Sequence, residues 1–220
     1  MKPILFSTAM VQAILAGNKT QTRRVVKPQP ESMEYITIGH WERISGGKRY
    51  AAAFGCNGVI NEMRKPRFSV GDILYVRETW ARVPTTAYIH SDGVVMTDAG
   101  NYESYIYRAG WERSNPKPWK PSLFMPRDAA RLFLRVTAVR PERVQDITEE
   151  DAKAEGVPKG YIVQGKYSTW TKGSTHKTSF EHLWDSLNAK RGYGWEANPW
   201  VWVYAFEKIS TEEAQLVKKI

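Results

Sequence analysis

Phe6-Ser7-Thr8-Ala9-Met10-Val11-Gln12-Ala13-Ile14-Leu15-Ala16-Gly17-Asn18-Lys19-Thr20-Gln21-Thr22-Arg23-Arg24-Val25-Val26-Lys27-Pro28 passes from one kind of local structure to another. Ser7 suits a helix N-cap, because its hydroxyl can accept a backbone N–H left unsatisfied in the first turn. Ala9, Met10, Ala13 and Ile14 then fall on one helical stripe, and Gly17 supplies the left-handed residue that ends such a helix. Beyond it, Asn18 to Val26 is polar and β-tolerant and stops before Pro28, as a loop running into a strand does. From Met1 to Pro30 the chain carries Lys2, Lys19, Arg23, Arg24 and Lys27 and no acidic residue, so this segment is expected to face something negative.

The same mixture continues outward. Gly71-Asp72 is a turn feeding a central strand, Ile73 to Arg77. Ala130 to Arg140 alternates, with Leu132, Leu134, Val136 and Ala138 on the face expected to be buried and Arg131, Arg135 and Thr137 on the other. Ile147 to Gly156 reads as a short helix with Thr148 as N-cap, acids in its first turn and a glycine stop. Phe180, Leu183, Trp184 and Leu187 recur at helical spacing, predicting an amphipathic helix over 178–188. Trp200 to Phe206 is too rich in aromatic and β-branched residues to be exposed on both faces, and should close a sheet or barrel. Residues 28–66 read as an insertion with weak β content. Residues 85–125, with Tyr102, Tyr105, Tyr107, Trp111 and Trp119 followed by Pro116, Pro118 and Pro121, form a second excursion. Short helices among separated strands predict an α+β class, a small barrel with flanking helices. The expected organisation is one domain over 1–210 and a charged tail over 211–220 that frays or forms a terminal helix.

Thirty-two Lys and Arg against twenty-three Asp and Glu give a net charge of +9, which suits a phosphorylated or polyanionic partner and equally a well-solvated basic surface. Cys56 is the only cysteine, so an internal disulfide and a multi-thiolate metal site are excluded. The start of the chain lacks the apolar core of a signal peptide, and no uncharged apolar run reaches eighteen residues. The expectation is a complete cytoplasmic chain with no membrane contact.

No phosphate-cradling glycine loop, His-Glu-x-x-His or Gly-x-Ser-x-Gly motif is present. His40, His90, His176 and His182 show no ligand spacing, so no metal and no other cofactor is expected, and these histidines are assigned structural or surface roles. Lys19-Thr20-Gln21-Thr22-Arg23-Arg24 places an amine and two hydroxyls just past a helix end; spacing alone leaves the cluster a solvated basic turn. Glu155 stands in the last turn of its helix, where the backbone dipole disfavours a carboxylate by about 0.3–1 kcal/mol. A distant lysine would compensate, although spacing alone reads this glutamate as solvated and inert. Trp80 is suited either to the core or to stacking on a base, and Arg77 and Glu78 either to each other or to a base edge.

Three ordered segments, Ile14 to Arg24, Val70 to Val76 and Ile147 to Glu155, resemble the ASCH domain, a PUA-like family. Arg77-Glu78-Thr79-Trp80 and Asn198-Pro199-Trp200-Val201-Trp202-Val203 resemble segments of ASCH proteins carried by phages. The resemblance implies a PUA-like barrel with two long insertions. Small N4-acetylcytidine amidohydrolases of this family use a lysine, a threonine and a glutamate, and those motif positions match Lys19, Thr22 and Glu155. It therefore implies removal of an N-acyl group from a modified cytosine nucleoside, with these three groups converging within hydrogen-bonding reach and Arg24, Arg77, Glu78 and Trp80 lining the pocket. It is equally compatible with a non-catalytic RNA- or DNA-binding module that reads modified bases, or with a metal-independent ribonuclease. The two excursions depart from the compact amidohydrolases and leave the substrate's size open.

Overall fold

A computed structural model describes residues 1–31, 34–42, 48–84, 95–96, 103–111, 118–164, 167–170 and 174–216. Helices and sheets are mixed, and the fold is α+β. The chain divides into two compact units, Met1–Gly17 with Gly71–Arg135 and Glu207–Ile220, and Asn18–Val70 with Val136–Phe206.

In the first unit, β1 (Lys2–Leu5) runs parallel to β6 (Ile73–Arg77), and the start of β10 (Phe133–Arg143) pairs antiparallel with β6. The expected central strand is thus flanked on both sides. Helix α1 (Thr8–Leu15) is capped as its residues require: Ser7 accepts the Met10 N–H, and Gly17 takes φ +75°. Strand β7 (Trp80–Pro84), just before the second excursion, makes a small antiparallel sheet with β8 (Val95–Met96) and β9 (Glu103–Tyr107) inside it. Trp80, Tyr105, Tyr107, Met125 and Phe133 are buried together. His90, Tyr102 and Pro116 lie outside the described residues. The tail begins as α4 (Thr211–Leu216).

In the second unit, β2 (Gln21–Val25) pairs antiparallel with β13 (Trp200–Ile209), which has β10 on its other side. Trp200 to Tyr204 are buried continuously, as the aromatic and β-branched run requires. Helices α2 (Glu149–Ala154) and α3 (His176–Asn188) contribute Ala152, Phe180 and Trp184 to a core shared with Val201 and Val203. The segment 28–66 carries far more strand than its glycines suggest. It contains an antiparallel sheet of β3 (Glu34–Glu42), β4 (Lys48–Cys56) and β5 (Val59–Arg64). Strands β11 (Tyr161–Gln164) and β12 (Tyr167–Trp170) form a hairpin.

Two pattern readings are corrected. Burial along β10 follows the alternation through Leu134 and Val136 but then changes phase: Ala138 is exposed and Val139 and Pro141 are buried. Leu187 is 50% exposed, because α3 buries a stripe centred on Phe180 and Trp184 that ends one turn earlier. Among the described residues no helix is long and apolar enough to cross a membrane, and no set of strand pairings closes a barrel.

Candidate active site

The carboxyl end of α2 leaves backbone carbonyls without helical partners, and the segment leading into β2 satisfies them. Thr20 donates its N–H to the Ala154 carbonyl at 2.9 Å, and Lys19 Nζ donates to the Glu155 carbonyl at 2.7 Å. Thr148 starts the helix by accepting the Asp151 N–H, and Gly156 at φ +79° ends it. These local signals therefore fix where Glu155 leaves the helix. Its side chain turns back to the same lysine, Nζ to Oε2 at 2.8 Å, and Nζ donates a further hydrogen bond to the Gln21 carbonyl at 2.8 Å. Three acceptors around one nitrogen match the three protons of an ammonium group.

Lys19 is 2% and Glu155 5% exposed, so neither the solvated turn nor the solvated, inert glutamate suggested by spacing describes them. Burial pulls the Lys19 pKa below its ordinary value, and the Glu155 carboxylate opposes that pull without cancelling it. The lysine is thus poorly solvated, which makes its proton easier to give up than in water.

Arg23, buried as well, links this pair to a wider network. Its guanidinium donates to Glu142 at 2.7 Å, Asp151 at 2.8 Å and Glu155 at 3.1 Å. Gln21 and Arg140 also donate to Asp151, at 2.8 and 2.6 Å. Burial would raise the Asp151 pKa, but these donors outweigh it and hold the carboxyl below its ordinary value. The charges missed in the sequence follow simple spacings. Asp151 and Glu155 are separated by one helical turn, and Arg140 and Glu142 by one strand repeat.

Strand alternation assigns Thr22 and Arg24 to the face of β2 opposite Gln21 and Arg23. Thr22 stands across from Tyr204, and Arg24 across from Trp202, on β13. Thr22 is 1% exposed, and its hydroxyl accepts from Arg24 Nη1 at 2.6 Å. Burial lowers the Arg24 pKa, against the attraction of Glu155 and Tyr204, and raises that of Tyr204 to about 12.

The chain matches no family model, no curated protein and no solved structure.

Of the residues singled out in the sequence, Lys19 and Glu155 meet directly, and Thr22 is held by Arg24. Arg77, Glu78 and Trp80 belong to the other unit, where each has its own surroundings. Arg77 donates to the Met125 carbonyl at 2.8 Å. Glu78 is 1% exposed and receives two hydrogen bonds from Arg131, at 2.9 and 3.0 Å. Trp80 is buried edge-on against Tyr105, with Lys120 Nζ 4.9 Å from its ring centroid. Arg77 and Glu78 thus have other partners than each other. His176 Nδ1 meets the Val157 carbonyl at 2.7 Å. Among the described residues no group of three or more His, Cys, Asp and Glu side chains could hold a metal ion.

Proposed function

We propose that this chain is a cytoplasmic amidohydrolase with a PUA-like barrel, removing an N-acyl group from a cytosine-type nucleoside such as N4-acetylcytidine. The observation that carries the reading is the buried Lys19 ammonium, shared between the Glu155 carboxylate and two carbonyls. A buried ion pair adds little stability for its desolvation, and apolar replacements often do as well. Maintaining one in the segment that leads into the buried Thr22 supports a chemical use.

In this reading Lys19 first passes a proton to Glu155 along their hydrogen bond and becomes a neutral amine. Thr22 Oγ1 attacks the acyl carbonyl while its proton goes to that amine. The Arg24 N–H already directed at Oγ1 holds the hydroxyl in position for the attack. As the C–N bond breaks, Glu155 returns its proton to the departing base nitrogen. Water then cleaves the threonine ester, releasing the acid and restoring the hydroxyl. Each Glu155 oxygen accepts from a cation, Oε1 from Arg23 and Oε2 from Lys19, an arrangement that suits a relay for lysine better than a base for unanchored water. Incubation with N4-acetylcytidine should release cytidine, with Lys19→Ala, Thr22→Ala and Glu155→Gln each losing the activity. A wild-type rate no greater than that of the first two variants would overturn the proposal.

The net charge of +9 favours a second reading, a nucleic-acid-binding module in which the buried network is structural. It predicts oligonucleotide binding that weakens steeply with salt, without deacylation.

A further inference from the structure

Arg23 is held more firmly than neutralising Glu155 would require. Within the second unit, its Nε and Nη2 converge on Glu142 Oε1 at 2.7 and 2.6 Å, and Nη2 also reaches Asp151 Oδ2 at 2.8 Å. Nη1 meets Glu155 Oε1 at 3.1 Å. The buried Phe180 ring lies against the guanidinium, its centroid 5.7 Å from Cζ. Arg140 ties the two anchoring carboxylates together, donating to Glu142 Oε2 at 3.2 Å and to Asp151 Oδ2 at 2.6 Å. A planar fork moves as one body, so anchoring Nε and Nη2 from β10 and α2 also fixes where Nη1 points. The anchoring carboxylates lie closer to the Arg23 charge than Glu155 does and offset most of it. Burial opposes that charge, but Glu155, Glu142 and Asp151 together outweigh it and hold the Arg23 pKa above its ordinary value, so this residue keeps its protons.

We infer that Arg23 is a positioning residue: by holding Glu155 Oε1 it reserves Oε2 for the proton that Lys19 gives and the departing base nitrogen receives. A carboxyl group that has taken up a proton loses its ionic attraction to lysine and is otherwise free to turn about its Cγ–Cδ bond. The Arg23 N–H resists that turn, because it would bring the acid's own O–H against a donor that needs an acceptor. The kinetic part of this inference rests on the amidohydrolase reading; the hold of Arg23 on Glu155 does not.

Arg23→Lys keeps the charge and removes the fork, whereas Arg140→Gln loosens the same ion network without touching Glu155. Both are compared with wild type in N4-acetylcytidine turnover, in exchange of the Lys19 ammonium protons with water followed by nitrogen-15 NMR, and in urea unfolding. Arg23→Lys should lower kcat at least about tenfold at unchanged KM, since misplacing a reacting group by about 1 Å costs up to about a hundredfold. Its Lys19 protons should exchange at least about tenfold faster, one of their three acceptors being loose. Arg140→Gln should stay within about twofold of wild type in both readouts, whatever it costs in stability. Equal kcat in wild type and Arg23→Lys, or equal losses in the two variants, would overturn the inference. Should Arg23→Lys fail to fold, Glu142→Gln, which weakens the anchor at Nε and Nη2, should lower kcat at least about threefold, and an unchanged kcat would overturn the inference. A wild type without turnover whose exchange is accelerated by Arg23→Lys alone would refute the reaction and leave the hold on Glu155 standing. Without turnover and without that acceleration, both fall.

Discussion

Replacing Lys19 by methionine retains much of the aliphatic stem and removes three hydrogen bonds at once, to the Gln21 carbonyl, the Glu155 carbonyl and Glu155 Oε2. Removing one partner of a buried ion pair costs about 3–5 kcal/mol, because the remaining charge stays desolvated. Arg23 still donates to Glu155 Oε1 at 3.1 Å, which places the expected loss toward the lower end of that range. Urea unfolding at neutral pH, followed by tryptophan fluorescence, should show a midpoint lowered by roughly 1–2.5 M at a slope of roughly 2–3 kcal/mol/M. Combining Lys19→Met with Glu155→Gln should be less damaging than the two separate losses added together, since the second substitution removes the stranded charge. A midpoint shift below about 0.3 M, or strict additivity of the pair, would refute the claim that these groups form a buried, mutually dependent pair.

Thr148→Ala removes the side-chain acceptor of the Asp151 N–H and should lower stability by about 1 kcal/mol, measurable in the same unfolding experiment. Because that cap sets the start of the helix delivering Asp151 and Glu155, deacylation should fall with it, and rescue by Thr148→Ser should restore both. Asp151 has a folded-state pKa below its ordinary value, so its contribution to stability is fully present above about pH 4 and is lost as the pH falls through the folded value. Wild type should therefore lose stability faster than Asp151→Asn over that acidic window, and parallel pH profiles would contradict the assignment.

The helices were legible wherever the decisive signals lie within a few residues of one another. Ser7 with Gly17, and Thr148 with Gly156, mark caps because the hydroxyl and the left-handed glycine act on the adjoining turn. Simple alternation misreads β10 beyond Val136, since a long strand can change which face it buries along its length. The sheet within 28–66 was obscured because glycine and charge weaken a strand pattern without preventing backbone pairing, and the register of Ala51 to Phe54 depends on the strands on either side. Arg23 looked like one more surface cation. Only the approach of Glu142, Asp151 and Glu155 makes it the centre of an ion network.

By itself the sequence determined the α+β class, the caps around Glu155, and a chemistry that uses no disulfide or multi-thiolate metal site. These follow from local sterics, from hydrogen bonding over a turn and from which side chains exist at all. Tertiary structure alone decided that Lys19 meets a carboxylate 136 residues away, that both are buried, and that Thr22 is held by Arg24 on the face of β2 opposite Arg23. Electrostatic pairing depends on distance and desolvation, and in a chain with this many charges those are fixed by strand register and helix docking rather than by position along the sequence.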